Sequence, residues 1–230
     1  MEFLFRVLLE LFGFVLGSPL YALCASLEFA VDMEKRAEEY IRPVFSEWSR
    51  GQVMTSVGEA SFPVFMVEFQ DVKYSDRMVS QEELDRWIFS GEGSVSDYYA
   101  VSSHGRMKME GDIYFYTAQK DIADYEDEEA LEGLILEILE YYDDEIDFSQ
   151  YDRNGDLVMD SLVISVPSGG DVDFWWGATH YWYYNWGHQI DGIYMMNFVV
   201  CDEQPYPNEK RYYQATLEHE LGHCMGLPDY

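Results

Sequence analysis

The sequence predicts an α/β or α+β layered domain in which a twisted, mixed sheet packs on a helix close to the C-terminus. Three observations carry that expectation. Short apolar, strand-like runs alternate along the chain with stretches whose apolar residues recur at helical spacing. Serine–acid pairs of capping-box form mark helix starts between the strand candidates. The 230 residues are 48% hydrophobic and 17% aromatic, enough to bury one sizeable core, and no repeat or low-complexity tract argues for further domains.

Residues 1–27 form an apolar start with Arg6 near the front and small residues at Ala22, Ala25 and Ser26. This is the pattern of a secretory signal peptide, with Glu2 and Glu10 as departures from it, and it places the protein outside the cell. Glu10, Gly17 and Pro19 break the run before about 20 apolar residues accumulate, so no stable membrane span is expected. Residues 28–58 make an N-terminal helical segment in which Glu34, Lys35, Arg36, Glu38 and Glu39 interleave with Ala37, Tyr40 and Ile41 until Pro43 interrupts it. A remnant of a pro-segment fits this position.

The domain itself is expected over 59–230. Phe62 to Phe69 reads as a buried strand. Ser80 with Glu83 opens a short helix through Trp87 to Phe89, and Ser94 with Asp97 repeats the device before Tyr98 and Tyr99. Lys108 to Tyr116 suggests a strand. An acidic helix follows over about 122–142, its apolar face set by Leu131, Leu134, Ile135, Ile138 and Leu139. Leu162 to Val166 and Ile193 to Val200 complete the strand candidates.

Charge narrows the function. Fourteen Lys and Arg stand against 44 Asp and Glu, a formal charge of -30. Such a surface repels nucleic-acid phosphates and anionic lipid headgroups, which sets nucleic-acid binding aside; the excess reads first as a solvated surface and second as one that works with divalent cations and basic substrates. Of three cysteines, Cys24 falls in the signal region, and Cys201 and Cys224 are too few for a disulfide framework, so both are expected as buried thiols.

The densest chemistry lies at His219-Glu220-Leu221-Gly222-His223, followed by Gly226, Pro228 and Asp229. Residues four apart on a helix share a face, so His219 and His223 can direct imidazole nitrogens at one Zn²⁺. Glu220 beside the first ligand can take a proton from water at the metal and return it to a leaving amine. A catalytic zinc needs a third protein ligand; Gly226 ends the helix and Pro228 cannot continue it, which brings Asp229 back towards the histidines as that ligand.

The run HELGHCMGLPDY resembles the active-site helix of the immune inhibitor A family, secreted metalloproteases similar to metzincins but with Asp in place of the last His. Further stretches match in order. Phe62 to Asp71 resembles that family's first core strand, Ser94-Val95-Ser96-Asp97-Tyr98-Tyr99 with Ser103-His104-Gly105 its serine- and tyrosine-rich helix, Tyr151 to Asp156 with Asp160 its acidic loop, and Thr179-His180-Tyr181-Trp182 its His-x-Trp segment. The resemblance implies a metzincin-like zincin fold and a secreted zinc endopeptidase acting on proteins or peptides. It also implies that the strand near Ile193 to Val200 is the edge strand that pairs with substrate. In that family the catalytic domain continues past the third ligand to a methionine-containing turn, so these residues are expected to be the upper half of such a domain, a fragment.

A second constellation is Asp152, Asn154, Asp156 and Asp160 around Gly155, whose oxygens at alternate positions suit Ca²⁺; a plain Asn-Gly turn uses the same residue types. The aromatic stretch Phe174 to Trp186 reads as core cover or as a cleft lining, and His180 and His188 read as structural histidines. Two rivals stand beside the protease: a non-catalytic, calcium-dependent surface or adhesion module, and an unrelated zinc hydrolase with a different third ligand.

Overall fold

The computed structural model describes residues 54–74, 80–167, 178–181, 188–202 and 209–228. All of them belong to the second of two compact units, Met1–Ser46 and Glu47–Tyr230. The signal-like stretch, residues 28–53 of the pro-segment-like one, most of the aromatic run and Asp229 lie outside the described residues.

The architecture is mixed α/β, built on a mostly parallel five-stranded sheet. Strand β1 (Gly58–Glu68) pairs in parallel with β2 (Met107–Thr117) and with β3 (Val163–Val166). Strand β7 (Asn197–Asp202) lies parallel to β3, and β4 (Ala178–Tyr181) runs antiparallel along the outer side of β7. A separate hairpin joins β5 (His188–Ile190) to β6 (Ile193–Met195).

Sequence reading expected one strand over Ile193 to Val200. The chain breaks that run at Met196: its first part joins the hairpin and the rest enters the main sheet. Apolar continuity could not reveal this, because both pieces are buried. The expectation that this strand forms the edge is overturned as well. Strand β7 is flanked on both sides, and among the described residues the edge beyond it is β4.

The central strands are covered on both faces, which explains why β1 reads as an unbroken apolar run instead of an alternating one. Phe65, Val67, Phe69, Ile164, Val166, Phe198 and Val200 face helix α3 (Glu128–Tyr142) and join its Leu131, Leu134, Ile135, Ile138 and Leu139 in one core. This is the acidic helix of the sequence reading, started by the Asp127 side chain accepting from the Ala130 amide, while Ile122–Tyr125 before it is a separate 3-10 turn.

On the opposite face lie helix α1 (Gln81–Asp85), which continues as a π-helical turn Arg86–Ser90, helix α2 (Val95–Ser102) and the last helix, α4 (Glu209–Cys224). Both predicted caps form: Ser80 accepts from the Glu83 amide and Ser94 from the Asp97 amide. Gly111 of β2 is required here. A Cβ at that position would sit 2.1 Å from the Phe62 carbonyl oxygen and 2.6 Å from the Phe89 ring, which packs against Phe62 at 5.3 Å between centroids.

Candidate metal centre

Helix α4 is fixed before its histidines are considered. Tyr213, Leu217, Leu221 and Cys224 form its buried stripe against the sheet. The Gln214 amide donates to the carbonyls of Trp87 (2.8 Å) and Gly93 (2.7 Å), and the Tyr99 hydroxyl donates to the Glu218 carbonyl. At the far end the Met54 amide donates to the Cys224 carbonyl at 2.9 Å, and Asn197 of β7 donates to the Cys224 sulfur at 2.9 Å. The helix is thus tied to both neighbouring helical segments and to the central sheet.

On this frame Glu220 falls beside the buried stripe, 6% exposed, while His219 and His223 sit on the open side. The two Nε2 atoms are 3.1 Å apart, with the rings nearly perpendicular at 87°. Glu220 Oε1 lies 4.0 Å from His219 Nε2. The three side chains offer ligand atoms within 4.8 Å of one another and form a group that could hold a metal ion.

The end of α4 sets the chemical form of one ring. Leu227 donates its amide to the Gly222 carbonyl (3.0 Å) and Gly226 donates to the His223 carbonyl (2.8 Å), the paired bonds of a Schellman stop with Gly226 at φ 84°. This turn carries the Leu227 carbonyl oxygen to 2.7 Å from His223 Nδ1. A carbonyl oxygen has no proton to give, so Nδ1 carries the hydrogen, and in the neutral ring Nε2 is left with its lone pair directed at the shared space.

Behind the site, burial pushes the Cys224 thiol up to about 12. Burial raises the Cys201 thiol as well, and both cysteines are free and buried, as the sequence suggested.

The sheet contributes a residue to which sequence reading gave no role. Thr179 of β4 donates its hydroxyl towards Glu220, 2.9 Å from Oε2 and 2.8 Å from the backbone oxygen. The segment Thr179 opens was noted for its His-x-Trp likeness, but nothing local ties Thr179 to Glu220; only the pairing of β4 beside β7 brings together residues 41 apart in sequence.

In the 152–160 loop, read from sequence as a Ca²⁺ loop or a plain Asn-Gly turn, the carboxylates accept backbone amides. Asp152 accepts the amides of Gly155, Asp156 and Leu157 at 2.8–3.1 Å, and Asp156 accepts that of Val158. Asn154 donates to Asp156 at 3.0 Å. Asp160 turns inward, where its Oδ2 accepts the amides of Ser61 (2.8 Å) and Arg153 (3.3 Å). Among the described residues the only cluster of three or more His, Cys, Asp or Glu side chains placed to share an ion is the one on α4.

His188 is exposed on β5, and the side chain of His180 lies outside the described residues. Among the described residues no helix is long and apolar enough to cross a membrane. No protein-family model matches the chain, and comparison with curated proteins gives no significant match.

Proposed function

We propose that this chain carries the metal site of a secreted zinc endopeptidase of metzincin-like fold, with His219 and His223 as ligands, Glu220 as general base and Asp229 as third ligand. The observation that carries the reading is the opposition of two imidazole Nε2 atoms at 3.1 Å with a carboxylate beside them. Nitrogens bound about 2.0–2.1 Å from one tetrahedral zinc lie about 3.3–3.4 Å apart, close to the 3.1 Å found between these two. The donor set favours the same ion: neutral imidazole with carboxylate oxygen suits zinc, whereas calcium takes oxygens alone.

Zinc, when bound, supplies a Lewis acid that polarises a carbonyl and acidifies water. The protein supplies the rest. Glu220, shielded from bulk solvent and next to His219, accepts a proton from water and hands it to the departing amine. The backbone reversal at Gly226 lies three residues ahead of Asp229 and supports its assignment as third ligand. Among the described residues the outer edge of β4 has no strand partner, so a peptide substrate is proposed to add there as a further strand, and not at β7.

Zinc analysis of the purified full chain after dialysis tests the centre. One zinc per chain is expected, and His219→Ala or His223→Ala should weaken binding by more than the roughly 10–100-fold that loss of a supporting partner causes. Glu220→Gln should keep the zinc and abolish peptide hydrolysis. A parent protein without zinc, or a Glu220→Gln protein that hydrolyses at the parent rate, rules the reading out.

A further inference from the structure

The geometry points to Thr179 as a positioning residue that keeps Glu220 a base and prevents it from becoming a metal ligand, an inference that rests on the metal centre proposed above. A carboxylate next to a metal has two fates. It can swing onto the ion and fill a coordination position, or it can be held back with one oxygen free for water. Helical spacing does not choose between them, since Glu220 is near enough to both histidines to be counted in the same ion-sized group.

The strand makes the choice. Thr179 donates to Oε2 at 2.9 Å, on the sheet side, while Oε1 is the oxygen directed at His219, 4.0 Å from Nε2. With Oε2 anchored, a swing of the carboxylate onto the ion would require the hydroxyl to let go, whereas contact with water through Oε1 leaves the anchor intact. The donor comes from a β-branched residue on a strand paired to β7, which restricts its rotation. Carboxylate and strand are therefore held in one arrangement before any substrate arrives.

The same hydroxyl lies 2.8 Å from the Glu220 backbone oxygen, and its one proton can be given fully to only one acceptor. A purely structural role, pinning the helix backbone to the edge strand, is the competing account. Variants of the two side chains separate them.

The experiment uses Co²⁺ as the probe, whose visible absorption reports coordination number, on the full chain. Parent protein should bind one Co²⁺ with a spectrum that disappears in His219→Ala and is unchanged in Glu220→Ala. Thr179→Val, which keeps the shape and removes the donor, should alter the spectrum as the released carboxylate joins the ion. Thr179→Ser should retain the parent spectrum, and the change seen with Thr179→Val should vanish in Thr179→Val/Glu220→Ala. In hydrolysis Thr179→Val should lower kcat about 10–100-fold with little change in KM, and Thr179→Ser should restore it.

A parent-like spectrum for Thr179→Val, a spectral change that survives in the double variant, or a Thr179→Ser protein that behaves like Thr179→Val overturns the inference while leaving the metal centre standing. Parent protein that takes up no Co²⁺ removes the centre, and this inference with it.

Discussion

At the scale of single residues, the interior holds one carboxylate in an unusual state. Asp160 is fully buried beneath the acidic loop, and burial raises its carboxyl to about 7 even though two amides donate to it. An unfolded Asp titrates near 4. Between about pH 4 and 7 the folded state therefore binds more protons than the unfolded state, and stability falls as pH rises through that window, levelling off above it. Asp160→Asn keeps an oxygen for the Ser61 and Arg153 amides and removes the titration. In chelator-treated protein, the stability of Asp160→Asn relative to the parent should rise from pH 4 to pH 7, as read by denaturant midpoints. Parallel profiles for the two proteins would show that Asp160 titrates normally.

At the scale of elements, the ends of helices carry more consequence than their middles. Gly226 adopts φ 84°, a region that costs a side-chain-bearing residue about 1–2 kcal/mol. Gly226→Ala should lose about that much stability and should also weaken zinc binding, because the Leu227 carbonyl that orients His223 belongs to the same turn. Gly133, exposed in α3 with open space around its Cβ position, is the internal control: Gly133→Ala should gain about 0.5–1 kcal/mol and leave metal affinity alone. Equal zinc affinity in Gly226→Ala and parent would separate the turn from the ligand.

These same elements show what the sequence disclosed and what it withheld. The caps at Ser80 and Ser94, the stop at Gly226 and the His219–His223 spacing were readable because each depends on residues within a few positions of one another. The apolar face of α3 was readable from its 3.6-residue period. The position of β7 inside the sheet, the break at Met196 and the contact from Thr179 to Glu220 were not, because strand order depends on pairings between distant segments that leave no local period. The inward turn of Asp160 was hidden for a related reason: in a loop of Asp and Asn, hydrogen bonding to amides and binding a cation call for the same residue types.

At the scale of the whole molecule, the excess of acid dominates. Forty-four Asp and Glu face 14 Lys and Arg. Several of the few cations are already engaged with neighbouring carboxylates: Lys73 with Glu68, Arg86 with Glu83, Lys108 with Glu110, and Arg153 with both Glu59 and Glu110. These exposed pairs contribute little each, and they leave most of the negative charge uncompensated. Self-repulsion of the compact state is screened once the Debye length shrinks to about 8 Å near physiological salt. The thermal midpoint should accordingly climb when NaCl is raised from low ionic strength towards that level, in scans with chelator present. A midpoint that is flat or falls over this range would mean that the charge is balanced by the fold in some other way.

The bond between His223 and the Leu227 carbonyl fixes a length as well as a direction. Lengthening or shortening the stretch between these residues by one position would leave α4 intact up to Gly222, yet would deprive the imidazole of the oxygen that holds its hydrogen on Nδ1. Divergent relatives should therefore vary freely in the loops around this helix while keeping that four-residue interval unchanged.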